Sequence, residues 1–206
     1  MSKIIDLTHP FTASMPVHAD DEPASIKQVR TLEKNYYNDW QLTSSMHVGT
    51  HIDGPGHLTN SKVLMSTVPV EQFVGMGYLV DARGLATIDA LLLQNMPADE
   101  NLIVLICTGF DKKFGTPEYF EQYPVMTPEF AHELVRRKIK LVGTDCFSPD
   151  KYPFEVHKIF LNQGIFIAEN LANLENLLGI QNFTVVALPL KTETDSALAR
   201  VIAIVE

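Results

Sequence analysis

The chain has 206 residues, a length that suits one domain able to bury a core without disulfides or other covalent staples. Apolar residues make up 46% of the chain and charged residues 20%, which excludes a largely disordered or fibrous protein. The formal net charge of -9 argues against nucleic acids and anionic membranes as partners, because both require a basic face.

Cysteine content and the N-terminal segment indicate a cytoplasmic protein. Only Cys107 and Cys146 occur, each beside apolar residues, which is typical of buried, reduced thiols. The N-terminus lacks the apolar run of a signal peptide, and no stretch approaches membrane-spanning length. No repeat or linker-like run marks a domain boundary, so we expect residues 1–206 to form one domain.

Five segments in the first two-thirds of the chain have the composition of β-strands. Residues 4–7 predict a short strand. Residues 25–46 mix β-branched, aromatic and polar residues, which favours a hairpin or long paired strands and leaves a helix as the alternative. Three further runs are short, apolar and bounded by polar segments, so we expect buried strands at residues 77–81, 102–107 and 139–144.

Helical spacing appears between those strands, at residues 88–94 and 127–137, with Thr127 as the expected N-cap of the second helix. This alternation predicts an α/β domain. The last third adds expected helices at residues 154–161 and 171–178 and expected strands at residues 164–168, 183–188 and 200–205. Because the last two strands follow each other closely, we expect antiparallel pairing and a mixed sheet.

Three histidines and one aspartate lie within eleven residues, at His47, His51, Asp53 and His57. In a regular strand, His47 and His51 would lie roughly 13 Å apart, too far for one metal ion. The glycines and the proline between these residues oppose a sustained helix. We therefore expect a turn at Gly49 to bring both imidazoles and the carboxylate together.

These ligand types indicate a metal site. Imidazole and carboxylate without thiolate suit Zn²⁺, and also Mn²⁺ or Fe²⁺, and three protein ligands leave a coordination position for water. The alternatives are surface histidines with an N-capping aspartate, or a purely structural metal.

The segment from 47 to 57 resembles the signature HxGTHxDxPxH of the cyclase-like metal-dependent hydrolases, a family that includes bacterial kynurenine formamidase and isatin hydrolase. Every specified position is matched. The resemblance covers nearly the whole chain through further segments: DLTHP at 6–10, MPV at 15–17, TGF at 108–110, GTD at 143–145, SPD at 148–150 and ENL at 169–171.

The resemblance implies a two-metal site. His47, His51 and Asp53 would hold one ion, and Asp53, His157 and Glu169 a second, with both carboxylates bridging. Two cations roughly 3.5 to 4 Å apart need shared anionic ligands to offset their repulsion. The implied cofactor is Zn²⁺, two ions per chain, with Mn²⁺ as an alternative. Taken alone, His157 would be an ordinary helix histidine.

The implied reaction is hydrolysis of an amide, cyclic amide or ester bond of a small molecule by metal-activated water. His57 is the expected proton shuttle, because an imidazole with a pKa near roughly 6.5 can both accept and donate a proton. Its alternative role is that of another metal ligand. The alternative functions are a metal-dependent isomerase or lyase on the same scaffold, and a non-catalytic metal-binding protein.

The substrate-side segment, residues 15–21, lacks the aromatic residue with which kynurenine formamidases stack on their substrate, and the sole tryptophan, Trp40, lies elsewhere. Formylkynurenine is therefore not the expected natural substrate, although an arylformamidase-like reaction is. His18 is the candidate substrate-binding residue. The implied fold is of the swivelling β/β/α type, a mixed sheet flanked by helices, and the implied assembly is a homodimer or higher homo-oligomer.

Overall fold

Most of the regular structure is β-strand. The computed structural model describes residues 2–18 and 21–205. Within them the strands are β1 (Lys3–Asp6), β2 (Ser25–Arg30), β3 (Asp39–Thr43), β4 (His51–Asp53), β5 (Val74–Asp81), β6 (Thr87–Ile88), β7 (Ile103–Cys107), β8 (Val125–Met126), β9 (Leu141–Thr144), β10 (Phe166–Glu169), β11 (Phe183–Pro189) and β12 (Ser196–Val205). The α-helices are α1 (Leu32–Asn35), α2 (Glu118–Glu121), α3 (Pro128–Arg136) and α4 (Glu155–Asn162). Short 3₁₀-helices cover Met65–Thr67, Val70–Phe73, Ala90–Leu93, Phe110–Lys113 and Leu174–Leu177.

Seven strands form a closed, barrel-like sheet in the order β12, β11, β5, β7, β9, β10 and β4, with β4 returning to β12. The ladders from β5 through β7 and β9 to β10 are parallel, and the other ladders of the ring are antiparallel. The expected mixed α/β sheet is therefore confirmed, as is the antiparallel pairing of the last two strands. Closure depends on β12, which pairs with β4 at residues 196–198 and with β11 beyond them.

Two apolar cores lie on opposite faces of the sheet. One core fills the interior of the barrel and includes Ile52 of β4 and Ala168 of β10. The other lies outside, where Ile167 of β10 packs with residues of α3 and α4. Because side chains alternate along a strand, the neighbours of Ile52 and Ala168 point to the outer face, toward α4.

Most of the predicted elements are confirmed, including the hairpin β2–β3. The side chain of Thr127 accepts a hydrogen bond from the backbone N–H of Phe130 at 3.1 Å and caps α3. Cys107 and Cys146 are buried free thiols. In the part of the chain that the structure describes, no helix is long and apolar enough to cross a membrane.

Two predicted helices are corrected. Residues 171–178 contain only the 3₁₀-helix Leu174–Leu177, because Asn173 has a φ of +60°, in the left-handed region, and interrupts a continuous helix there. Residues 88–94 likewise contain only Ala90–Leu93. The predicted first turn is lost there because Ile88 belongs to β6 and pairs with β8.

The buried carboxylate of Asp145 connects the ends of β7 and β9. It accepts hydrogen bonds from the backbone N–H of Thr108 at 3.0 Å, the hydroxyl of Thr108 at 2.6 Å and the backbone N–H of Gly109 at 2.7 Å. Burial raises the pKa of this carboxyl to about 6, because the loss of hydration outweighs the three donors. Asp145 thus caps the connection after β7.

We expect Asp145→Ala to lower the free energy of unfolding by about 2–4 kcal/mol, because it leaves two backbone N–H groups without an acceptor in the interior. Urea denaturation measures this loss. Asp81→Ala is the matched control, since Asp81 also lies at the end of a parallel strand, as the last residue of β5, but is exposed and pairs with Arg83. Equal losses in the two variants would contradict the structural role of Asp145.

Candidate metal centre

The centre of the site is the antiparallel pair β4–β10. His51 lies opposite Glu169, and Asp53 lies two residues further along β4, so the three side chains share the outer face of the sheet. All three are buried. The Nε2 atom of His51 is 3.3 Å from Oε2 of Glu169 and 3.4 Å from Oδ1 of Asp53. Two carboxylates and an imidazole therefore meet in the interior.

The turn before β4 brings His47 to the same place, as the sequence predicted. Gly49 has a φ of +68°, in the left-handed region that favours glycine, and a side chain there would collide with Met15. The Nδ1 atom of His47 lies 2.9 Å from Oδ1 of Asp53. Nδ1 of His51 donates to the carbonyl of Gly49 at 2.7 Å, which leaves Nε2 of His51 free to act as a ligand.

His157 reaches the centre from helix α4. Its Nε2 atom is 3.2 Å from Oε1 of Glu169 and 3.9 Å from Oδ2 of Asp53. Its Nδ1 atom donates to Asp150 at 2.5 Å, and the same carboxylate accepts the backbone N–H of Val156 at 2.7 Å. Asp150 therefore orients the imidazole and also caps the helix that carries it.

The electrostatics of the centre favour positive charge. Burial opposes ionisation of Asp53, yet His51 and His47 hold the pKa of its carboxyl well below the ordinary value. Burial also opposes a charge on His157, but the carboxylates of Asp150 and Glu169 raise the pKa of its imidazole to about 10. The carboxylates of Asp53 and Glu169 therefore require a cation beside them, which protonated histidines or a bound metal ion can provide.

Although imidazole nitrogens and carboxylate oxygens lie close together here, several buried polar atoms of the centre form no well-aligned hydrogen bond among the described residues: Nε2 of His51, both carboxylate oxygens of Asp53 and Oε1 of Glu169. Such atoms are costly in an interior unless something satisfies them. Ligand atoms come within 4.8 Å of one another in two groups, His47 with Asp53 and His57, and His51 with Asp53 and Glu169. The donor set thus fits a metal ion of the zinc or manganese type.

His57 lies beside these ligands, after the segment from Gly54 to Gly56 has turned the chain back. Its ring centroid is 4.2 Å from that of His47 and 6.1 Å from that of His157. Its Nδ1 atom lies 4.0 Å from a carboxylate oxygen of Asp195. Burial lowers the pKa of the His57 imidazole, so it is neutral near pH 7 and able to accept a proton.

A cavity of about 300 Å³ opens onto the centre. Its walls combine ligands, polar groups and apolar side chains: His18, Asp21, His47, His57, Leu58, Phe147, Ser148, Phe154, His157 and Glu169. His18, the predicted substrate-side residue, is part of the wall, where its ring stacks on Phe147 at a centroid distance of 5.4 Å. The cavity is large enough for a small organic molecule.

The structure brings all seven predicted site residues to this one region, the five candidate ligands around the carboxylates, His57 beside them and His18 in the cavity wall. Five other residues of the region were not singled out from the sequence: Asp21, Phe147, Asp150, Phe154 and Asp195. Only Asp150 had a signal, since it lies in the segment SPD that contributed to the family resemblance. Phe147 and Phe154 lie close in sequence to Ser148 and His157, whereas Asp21 and Asp195 approach the site from distant loops.

The closed sheet and its histidine–carboxylate centre suggest the class of metal-dependent hydrolases. A model of the family described as putative cyclase matches residues 5–151, so the chain belongs to that family. An uncharacterized protein of Methanocaldococcus jannaschii is 33% identical over 208 residues, which cover 98% of this chain and 99% of that protein.

Two further comparisons name enzymes. A kynurenine formamidase of Bacillus mycoides is 27% identical over 206 residues, which cover 98% of this chain and 97% of that protein. The structure of isatin hydrolase A from Labrenzia aggregata bound to benzyl benzoate has a TM-score of 0.89 at 22% identity, over 99% of this chain and 94% of that chain. At 22% identity, the similarity to isatin hydrolase A concerns the fold alone.

Proposed function

We propose that the chain is a metal-dependent hydrolase that cleaves an amide, cyclic amide or ester bond of a small molecule. The observation that carries this proposal is the set of buried ligand atoms of His51, Asp53 and Glu169 that lack a well-aligned hydrogen bond beside an open cavity. The similarity to kynurenine formamidase supports a carbon–nitrogen bond, as in an arylformamidase-like reaction.

The proposed cofactor is Zn²⁺ at two ions per chain, with Mn²⁺ as the alternative. His47, His51 and Asp53 would hold one ion, and Asp53, His157 and Glu169 the other. The distances from His157 to both carboxylates support the second set, while the grouping of His57 with His47 and Asp53 supports its alternative role as a ligand.

When bound, such ions lower the pKa of water toward neutrality and polarise a carbonyl group. The residues of the chain supply the rest of the chemistry. Neutral His57 accepts a proton from the attacking water and returns it to the departing nitrogen or oxygen. The side chains of Leu58, Phe147 and Phe154 line the cavity and exclude bulk water, which strengthens the electrostatic interactions within it.

We further propose that residues 1–206 act as one hydrolase domain of the swivelling β/β/α type, in the cytoplasm, and that the protein is a homodimer or higher homo-oligomer. The hairpin formed by β2, α1 and β3 exposes apolar side chains to an extent unusual for a monomer: Val29, Leu32, Tyr36, Tyr37, Trp40 and Leu42. A two-stranded hairpin has little stability alone, so contact with a second copy would stabilise it.

The charge of the hairpin supports contact between copies. Residues 25–43 contain three basic and two acidic side chains, whereas the whole chain carries a net charge of -9. A cleft of about 640 Å³ between the hairpin and the body, lined in part by Leu188 and Leu190, offers an apolar surface for the hairpin of the partner. The same patch on both subunits would form a symmetric interface.

Metal analysis tests the proposed two-metal centre. The wild type should bind two Zn²⁺ per chain, Asp53→Ala should bind none, and His157→Ala should lose chiefly one ion, because a bridging carboxylate contributes to both positions. Mass spectrometric metal counts after gel filtration give these numbers. Asp81→Ala, which removes an exposed carboxylate, should keep both ions. One ion per chain that is unaffected by His157→Ala would refute the two-metal centre.

Turnover tests the proton shuttle. The zinc-loaded protein is screened for proton release from N-formyl arylamines, cyclic amides, lactones and simple esters, and His57→Ala should retain metal but lose roughly 10²- to 10⁴-fold in kcat. His132→Ala is the matched control, as His132 lies on α3 away from the centre. Metal loss in His57→Ala would assign His57 as a ligand. Absence of turnover in a metal-loaded wild type would favour an isomerase, a lyase or a non-catalytic protein.

Sedimentation velocity tests the oligomer. The wild type should sediment as at least twice the 23.0 kDa of one chain, and Trp40→Glu should shift it toward the monomer because a charge on the exposed hairpin opposes apolar contact. Leu91→Glu is the control, since Leu91 is 69% exposed but lies outside the hairpin. A monomeric wild type would reject the proposal.

A further inference from the structure

The cavity beside the metal centre has an uneven distribution of charge. Among its described lining residues are two carboxylates, Asp21 and Glu169, and neither a lysine nor an arginine. Glu169 faces His51 and His157 at 3.3 and 3.2 Å and belongs to the metal centre. The carboxylate of Asp21 is therefore the one acidic group of the described wall that is not engaged with the ligands.

The position of Asp21 is defined by its backbone, while its side chain remains available. The backbone N–H of Asp21 donates to the carbonyl of His18 at 2.9 Å, and the ring of His18 stacks on Phe147. Within the described chain, the carboxylate of Asp21 has neither a salt bridge nor a side-chain hydrogen bond, and the residue is half-buried. An unpaired charge in a half-buried position can interact with whatever molecule fills the cavity.

The surroundings of Asp21 increase the effect of its charge on a ligand. Leu58, Phe147 and Phe154 supply apolar walls, and charge interactions are stronger beside such surfaces than in bulk water. A cationic group on the ligand would be attracted by Asp21, and a carboxylate would be repelled without a lysine or an arginine in the described wall to compensate.

We propose that Asp21 is a specificity-determining residue that selects substrates carrying a positively charged group and rejects those carrying a carboxylate. The selection concerns a group of the substrate remote from the bond that is cleaved, since the ligand residues surround the reacting end. This inference rests on the proposed hydrolase function for the location of the substrate.

Three formanilides that differ only in charge test the proposal. Their para substituents are aminomethyl (cationic), hydroxymethyl (neutral) and carboxymethyl (anionic). The zinc-loaded wild type should show kcat/KM in that order. Asp21→Asn should reduce the ratio of the cationic to the anionic substrate by roughly tenfold, the effect of one charge-assisted hydrogen bond, with little change for the neutral compound.

Glu22→Gln is the matched control, because it removes the same charge from the next residue, which is exposed and does not line the cavity. Its ratio should stay within about twofold of the wild type, as for a solvated surface charge. Binding of the three corresponding anilines by isothermal titration gives a second readout that requires no turnover. Their affinities should follow the same order and change in the same way.

The outcomes separate the two proposals. A wild type that prefers the carboxymethyl compounds or is indifferent to charge, or an Asp21→Asn variant with an unchanged ratio, overturns the role of Asp21. Equal effects of Asp21→Asn and Glu22→Gln also overturn it, because they would show that the preference comes from the net charge of the whole protein and not from a charge in the cavity. If no formanilide is cleaved, arylformamide hydrolysis fails, and the aniline affinities still decide whether Asp21 selects charge.

Discussion

The architecture of the site depends on the burial of two ionised carboxylates, Asp53 and Glu169, on adjacent antiparallel strands. Removing such charges from water is expensive unless positive charge and hydrogen-bond donors replace the lost hydration. Imidazoles from three segments contact these carboxylates: one from the turn before β4, one from β4 itself and one from helix α4. Buried carboxylates of this kind are stabilised by neighbouring positive charge, which metal ions can supply. The buried atoms that lack a well-aligned hydrogen bond are the ones that would coordinate such ions.

The closed sheet makes this burial possible. The strand β4 has only three residues, yet it is held on one side by β10 and on the other by the start of β12. Its middle residue, Ile52, packs inside the barrel, so the residues on either side must point outward. Short as it is, the strand is a rigid support for two ligands, as a catalytic or metal-binding constellation requires.

The other groups of the site lie outside the sheet, on separate segments of the chain. Asp150 orients His157 and caps α4, so the position of one ligand depends on the start of its helix. His57 stands beside the ligands with the pKa of its imidazole lowered by burial, and the cavity beyond it has apolar walls. Under the proposed function, ligation, proton transfer and substrate contact would be carried out by different segments, and each could change without rebuilding the sheet.

The sequence by itself determined what local patterns can encode. It predicted the α/β class, most strands, helix α3 with its Thr127 cap, and a turn at Gly49 that unites His47, His51 and Asp53, because these depend on neighbouring residues. The tertiary structure decided the rest: the closure of the sheet by β12, the conversion of residues 171–178 from a predicted helix, and the approach of Asp21 and Asp195 to the site. His157 and Glu169 are intermediate: the family resemblance indicated both as metal ligands, but their spacing in the sequence could not show that they meet the other ligands. The physical reason is that ligands from separate strands and helices meet only after long-range backbone pairing has fixed the register.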